Sequence, residues 1–181
     1  MQSNVRAKIQ AFGGFLTAMV IPNMGAFIAW GFITALFIPT GWIPNEQFNK
    51  LVGPMVSTLL PLLLAYAGGK LIYDTRGGIA GTIGTIGLIV GANIPMFLGA
   101  MIMGPLSAYI IKKFDGMIED KIPTGFEMLV NNFSLGIIGF ILCLLANSFI
   151  GPAVQEANNI ISIAIKALVS TGIFTNISIN K

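Results

Sequence analysis

The sequence predicts an all-α membrane protein, a polytopic bundle of about five transmembrane helices followed by an amphipathic helix, with its N-terminus in the cytoplasm. Hydrophobic residues make up 55% of the chain and charged residues only 9%, whereas about 25% of the residues of a soluble domain are charged. The charges are separated by long uncharged stretches. A soluble globule of this composition would expose far larger apolar patches than water tolerates, so we expect lipid to surround the chain.

Four stretches are long enough to cross a membrane, because about 20 apolar residues cover about 30 Å of hydrocarbon. The third stretch, residues 77–111, is long enough for two short crossings, and residues 91–95 offer a natural break. Spans of this polarity must be helical, since backbone groups in lipid have no other hydrogen-bond partners. We predict five spans, at residues 13–38, 51–73, 77–92, 95–111 and 126–150.

The basic residues predict the orientation, because Lys and Arg are enriched in cytoplasmic segments. Five crossings from a cytoplasmic N-terminus place seven of the ten basic residues inside, whereas a single crossing at 77–111 would leave the Lys112/Lys113 pair outside. Residues 112–124 are then the main cytoplasmic loop. The first span is too long for the 7–15-residue core of a signal peptide, so we expect it to be retained. The seven are Arg6, Lys8, Lys70, Arg76, Lys112, Lys113 and Lys121.

Proline and glycine inside the spans predict bent helices and close helix packing. Proline removes an intrahelical hydrogen bond, and we expect breaks at Pro22, Asn23, Pro61 and Pro95. Glycines three or four residues apart let helix backbones approach closely. A phosphate-binding glycine loop is the alternative for this segment, but the terminal Lys and the preceding strand of that motif are missing. The packing glycines are Gly77, Gly81, Gly84, Gly87 and Gly91.

The composition also excludes several function classes. The chain has no histidine, and its single cysteine, Cys143, lies inside an apolar run. We therefore predict no metal site, no cofactor and no catalytic residue, and the clustered charges argue against a nucleic-acid partner. Residues 153–169 mix isoleucines with amides and charges, which predicts an amphipathic helix at the outer membrane interface. The tail, residues 171–181, lacks this pattern.

Four polar side chains near the spans are candidates for substrate binding. Glu127 begins the fifth span, where it could instead stabilise the positive end of the helix dipole. Asn131 and Asn132 lie one turn deeper and could bind polyol hydroxyls or hydrogen-bond helices together. Asn93, like Asn23, sits beside a helix break, where helix capping is the simpler interpretation.

Several strings resemble the mannitol-specific enzyme IIC of the bacterial phosphotransferase system. They are PNMGAFIAWGFITALFIPTGW at 22–42, LVGPM at 51–55, GANIPMFLG at 91–99 and GFEMLVNNFS at 125–134. The resemblance runs from about residue 5 to about residue 170 in the same order along the chain. It implies a multi-pass permease of the bacterial cytoplasmic membrane that carries mannitol or a similar hexitol inward while the sugar is phosphorylated.

The resemblance also implies partners, and it covers only part of the enzyme IIC domain. The phosphoryl group would come from phosphorylated enzyme IIB and IIA domains, and the permease would be a homodimer embedded in membrane lipid. Family members continue into a part with histidine- and glutamate-containing sugar motifs, which have no counterpart here, and Cys143 is too buried to replace the IIB cysteine. We therefore expect a partial enzyme IIC domain over residues 1–181, a scaffold and dimerisation part that is inactive alone. A structural or regulatory membrane protein that assembles with a full-length permease is the alternative, and an intramembrane enzyme is the weakest interpretation.

Overall fold

The computed structural model describes residues 2–156, 159–160 and 163, and it consists of helices joined by short connections. Helix α1 covers Gln2–Val20, and after a 3₁₀ turn at Ile21–Asn23, α2 covers Met24–Phe37. Two short helices follow, α3 at Glu46–Asn49 and α4 at Val52–Pro54. The long helices are α5 at Leu60–Val90, α6 at Phe97–Ile118 and α7 at Glu127–Leu145.

Four runs of helix are long and apolar enough to cross a membrane, at Arg6–Phe37, Glu46–Val90, Phe97–Lys121 and Glu127–Glu156. The predicted all-helical membrane fold is thereby confirmed. The second run is not one straight rod, because Tyr73 (φ −148°, ψ 52°) and Asp74 (φ 40°, ψ −148°) are not helical. The predicted span 13–38 overlaps both α1 and α2, and the other four predicted spans also lie mostly on helix. The number of crossings stays a prediction.

At Tyr73 and Asp74 the chain reverses, so the two arms of α5, residues 60–73 and 75–90, form an antiparallel hairpin. A Cβ atom built on Gly81 would lie 2.8 Å from the carbonyl oxygen of Ala65 and 3.0 Å from the Cα of Gly104. Such distances leave no room for a side chain. The glycines therefore let the two arms and α6 meet backbone to backbone.

The five predicted packing glycines all lie against a neighbouring helix. Gly84 faces the Ser107 hydroxyl of α6. Gly87 faces the backbone of α7 at Cys143, and Gly91 faces the backbone of the following π turn at Asn147. The Asn147 side chain adds a hydrogen bond to the Gly87 carbonyl oxygen at 3.2 Å. Residues 77–90 are helical, so these glycines do not form the loop that a phosphate-binding motif requires.

Proline accounts for most of the irregular turns. Pro22 lies in the 3₁₀ turn between α1 and α2, and Pro95 lies in the connection between α5 and α6. Pro61 and Pro152 each follow a π-helical turn, at Met55–Leu59 and Ala146–Ile150. Each π turn contains the residue four positions before the proline, whose carbonyl the proline ring would otherwise strike.

Three sequence-based expectations differ from the structure. Asn23 does not cap α2, because its side-chain amide instead donates to the carbonyl oxygens of Met19 at 2.8 Å and Leu63 at 3.1 Å. The predicted loop 112–124 is helical as far as Ile118, since the charged residues after 111 are ordinary helix formers that hydropathy alone cannot assign. Helix also continues to Glu156, past the predicted end at 150. Of the predicted interfacial helix 153–169, residues 157–158, 161–162 and 164–169 lie outside the described residues, as does the tail 171–181.

Candidate functional site

The most polar part of the helical core is a cluster of three side chains from three helices. Arg76 begins the second arm of α5, Asp115 lies near the end of α6, and Ser134 lies two turns into α7. The Arg76 guanidinium donates to both carboxylate oxygens of Asp115, from Nε to Oδ2 at 2.5 Å and from Nη2 to Oδ1 at 2.9 Å. Such a bidentate pair fixes orientation as well as distance.

The same guanidinium reaches the third helix. Its Nη2 donates to the Ser134 hydroxyl at 2.7 Å, and its Nη1 donates to the carbonyl oxygen of Asn131 at 2.6 Å. The Ser134 hydroxyl in turn donates to the Asn131 carbonyl at 3.0 Å. Because α6 and α7 touch each other only sparsely, Arg76 is the main polar link between them.

Burial makes this cluster costly to disturb. The side chain of Arg76 is 20% exposed and that of Asp115 is 9% exposed, so neither charge can rely on water. Among the described residues it is the only ion pair. Removing one partner of such a pair leaves an uncompensated buried charge, which destabilises more than the pair itself stabilises. The cluster therefore fixes the relative positions of three helices.

Sequence reasoning missed this cluster. It treated Arg76 only as a marker of the cytoplasmic side, and it did not consider Asp115 or Ser134. The sequence did contain one indication: Arg76 directly precedes the predicted span 77–92, and Asp115 follows the next span, 95–111, on the same predicted side of the membrane. The two residues are 39 positions apart, and a single sequence does not reveal which charges pair.

Three of the four predicted binding residues lie near this cluster, at the start of α7. The carboxylate of Glu127 accepts a hydrogen bond from the Gly125 N–H at 2.8 Å, just before α7. Glu127 lies in the first turn of that helix, where a negative charge is favoured by the helix dipole. Asn131 supplies its backbone carbonyl to Arg76. Asn132 is exposed, so its amide is accessible to a partner molecule.

The fourth, Asn93, lies at the other end of the bundle. It is exposed in the connection before α6, and its backbone N–H donates to the Gln155 side chain at 3.0 Å. From Asn131 to Gln155 the helical run is about 36 Å long at 1.5 Å per residue. The structure therefore does not bring the four predicted residues together in one site. The described residues also contain no group of three His, Cys, Asp or Glu side chains that could hold a metal ion.

Comparison with known proteins gives a consistent result. The family description "Phosphotransferase system, EIIC" matches residues 17–179. An Escherichia coli protein named "PTS system mannitol-specific cryptic EIICB component" is 62% identical over 176 residues, which cover 97% of this chain and 38% of that protein. A Geobacillus stearothermophilus mannitol-specific EIICB component is 60% identical, with 93% of this chain and 36% of that protein covered.

The name of a third relative ends in EIICBA instead of EIICB. The "PTS system mannitol-specific EIICBA component" of Klebsiella pneumoniae is 60% identical over 170 residues, which cover 94% of this chain and 27% of that protein. The chain thus spans 27% to 38% of the length of these three relatives. No solved structure matches it.

Proposed function

This chain belongs to the EIIC family, the integral component of the phosphotransferase system in the bacterial cytoplasmic membrane, and from that premise we propose that it is the scaffold and dimerisation part of a mannitol-type permease. The observation that carries this proposal is the high identity, over nearly the whole chain, to proteins whose names specify mannitol. The complete permease would couple hexitol uptake to phosphorylation. No observation favours the alternative of a separate regulatory membrane protein.

A scaffold role agrees with the way the helices are packed. The hairpin of α5 and its neighbours meet through glycines that leave no space for a side chain, and the Arg76–Asp115 pair ties three helices together. Interiors packed this closely transmit strain and do not deform gradually. We propose that this rigid unit forms a homodimer, while a hexitol and the phosphorylated EIIB and EIIA domains engage the complete permease.

The topology belongs to the same proposal, with five crossings and a cytoplasmic N-terminus. Single cysteines at Lys50, Lys70 and Lys112, introduced after Cys143→Ser, are all at exposed positions. A membrane-impermeant maleimide applied to intact cells should label position 50 and should spare positions 70 and 112. Labelling of position 112 from outside would contradict the two crossings assigned to residues 77–111.

A chimaera tests the functional proposal. This chain replaces the matching segment of the Geobacillus stearothermophilus EIICB component, and mannitol phosphorylation is measured in vesicles with a phosphorylated EIIA donor. We expect activity in the chimaera and none from this chain alone. A chimaera that inserts and stays folded but does not phosphorylate mannitol contradicts the family role, and mannitol uptake by the isolated chain contradicts the scaffold role.

The same chimaera tests the predicted binding residues. We propose that Asn132 and Asn93 are the stronger candidates for contact with hexitol, because their side chains are exposed. The exposed Glu127 carboxylate already accepts a hydrogen bond from Gly125, and Asn131 is only partly exposed. Asn132→Ala should raise KM for mannitol more than Gln47→Ala, an exposed amide of α3. Equal KM values would remove Asn132 from the site.

A further inference from the structure

Helices α6 and α7 pack against the same arm of α5 but diverge from each other, which leaves an apolar groove between them. Two adjoining cavities of about 550 Å³ and 500 Å³ lie along it. Phe114, Ile138 and Ile141 line both cavities, so the two form one continuous surface. We call this surface the α6/α7 groove.

The groove has the length expected of a lipid site. Its lining on α7 runs from Val130 to Leu145, which is about 22 Å of helix at 1.5 Å per residue. The hydrocarbon of one leaflet is about 15 Å thick, half of the bilayer core. The lining side chains Phe133, Ile137 and Ile141 are also exposed, so the groove is open along its α7 side.

Two positive charges line this apolar groove, one in each cavity. Lys121 lines the first cavity and Lys113 lines the second, and both are exposed. Neither forms an ion pair within the described part of the chain, where Arg76–Asp115 is the only one. Glu119 and Asp120 precede Lys121 in a 3₁₀ turn, but they are not among the residues that line the groove.

From this arrangement we propose that the α6/α7 groove binds one anionic phospholipid. An acyl chain lies along Phe114, Ile138 and Ile141, and the phosphate lies between the ammonium groups of Lys113 and Lys121. Basic pockets between transmembrane helices on the cytoplasmic side are where acidic headgroups bind. An uncharged polypeptide segment in the same groove would leave both ammonium groups without a counter-charge.

Native mass spectrometry of the whole chain released from detergent tests the proposal. The probe is palmitoyl-oleoyl phosphatidylglycerol, and phosphatidylcholine with the same acyl chains is the reference lipid. We expect one tightly bound phosphatidylglycerol and weaker binding of phosphatidylcholine. Lys113→Gln with Lys121→Gln should weaken phosphatidylglycerol binding about fivefold per lysine, or about thirtyfold for the pair, and should leave phosphatidylcholine binding unchanged.

A matched control and a second variant keep the test decisive. Lys8→Gln with Lys70→Gln removes the same charge from exposed positions outside the groove and should not change binding. Ile141→Trp places a larger side chain in the groove and should weaken binding of both lipids, with helix content checked by circular dichroism. Equal affinity for the two lipids, equal effects of the two lysine pairs, or a polypeptide in place of the lipid would each overturn the proposal.

Discussion

The second arm of α5 and the first helical run, residues 2–37, are both rich in glycine, yet their glycines have opposite surroundings. Cβ atoms built on Gly81, Gly87 or Gly91 would strike the backbone of a neighbouring helix. Cβ atoms built on the glycines of the first run would meet no atom within 4 Å. The glycines of the first run are Gly13, Gly14, Gly25 and Gly31.

The two regions are therefore held in different ways. The arm is fixed on several sides by backbone contact and by the Arg76 cluster. The first run is attached along one helix face, through buried Met19, the Asn23 hydrogen bond to Leu63, and a ring contact between Phe27 and Phe97 with centroids 6.2 Å apart. No residue of α2 is buried. Glycine content alone does not predict packing, because the approach of a partner helix decides its effect.

The largest expected effect comes from the ion pair at the start of the arm. Asp115→Ala leaves the Arg76 guanidinium mostly buried and unpaired, and it should lower the free energy of unfolding by about 3 kcal/mol. Thermal unfolding in detergent, followed by circular dichroism, measures this. Asp120→Ala, at an exposed position five residues on, should change stability by less than about 0.5 kcal/mol. Equal effects of the two variants would mean that the cluster does not hold the core.

A smaller change in stability is expected from alanine substitutions that compare the two glycine environments directly. Gly87→Ala places a methyl group against the carbonyl oxygen of Cys143 and should destabilise by about 1–3 kcal/mol through overpacking. Gly31→Ala enters open space and should be neutral or stabilise by up to about 1 kcal/mol, because alanine favours helix. Thermal unfolding in detergent, followed by circular dichroism, measures the stability of both variants. If both variants destabilise equally, the close contact at Gly87 is not what sets the packing.

The comparison also shows what the sequence could supply. Apolar length predicted segments that overlap the long helices of the described residues, and Pro22 and Pro95 lie in connections between helices, since hydropathy and proline act locally. The glycine spacing predicted a packing surface but not its partner helices. The extension of α6 to Ile118 consists partly of charged helix formers, which hydropathy does not assign. The reversal at Tyr73–Asp74 and the Arg76–Asp115 pair depend on contacts between residues far apart in sequence. For the candidate site, the sequence supplied residues of suitable chemistry, but it did not show that Glu127, Asn131 and Asn132 lie at one end of the bundle and Asn93 at the other.

The smallest expected effect concerns the attachment of the first run. Asn23→Ala removes the hydrogen bond to the Leu63 carbonyl, which is worth about 0.6–1 kcal/mol between membrane helices. Because the first run has few other contacts, this loss should appear as faster hydrogen exchange in residues 24–37, while exchange in residues 75–90 stays unchanged. Thr34→Ala is the matched control, since the Thr34 hydroxyl bonds only to the Trp30 carbonyl of its own helix, at 2.8 Å. Faster exchange in both segments after Asn23→Ala would show that the two regions are coupled and that the first run is part of the rigid core.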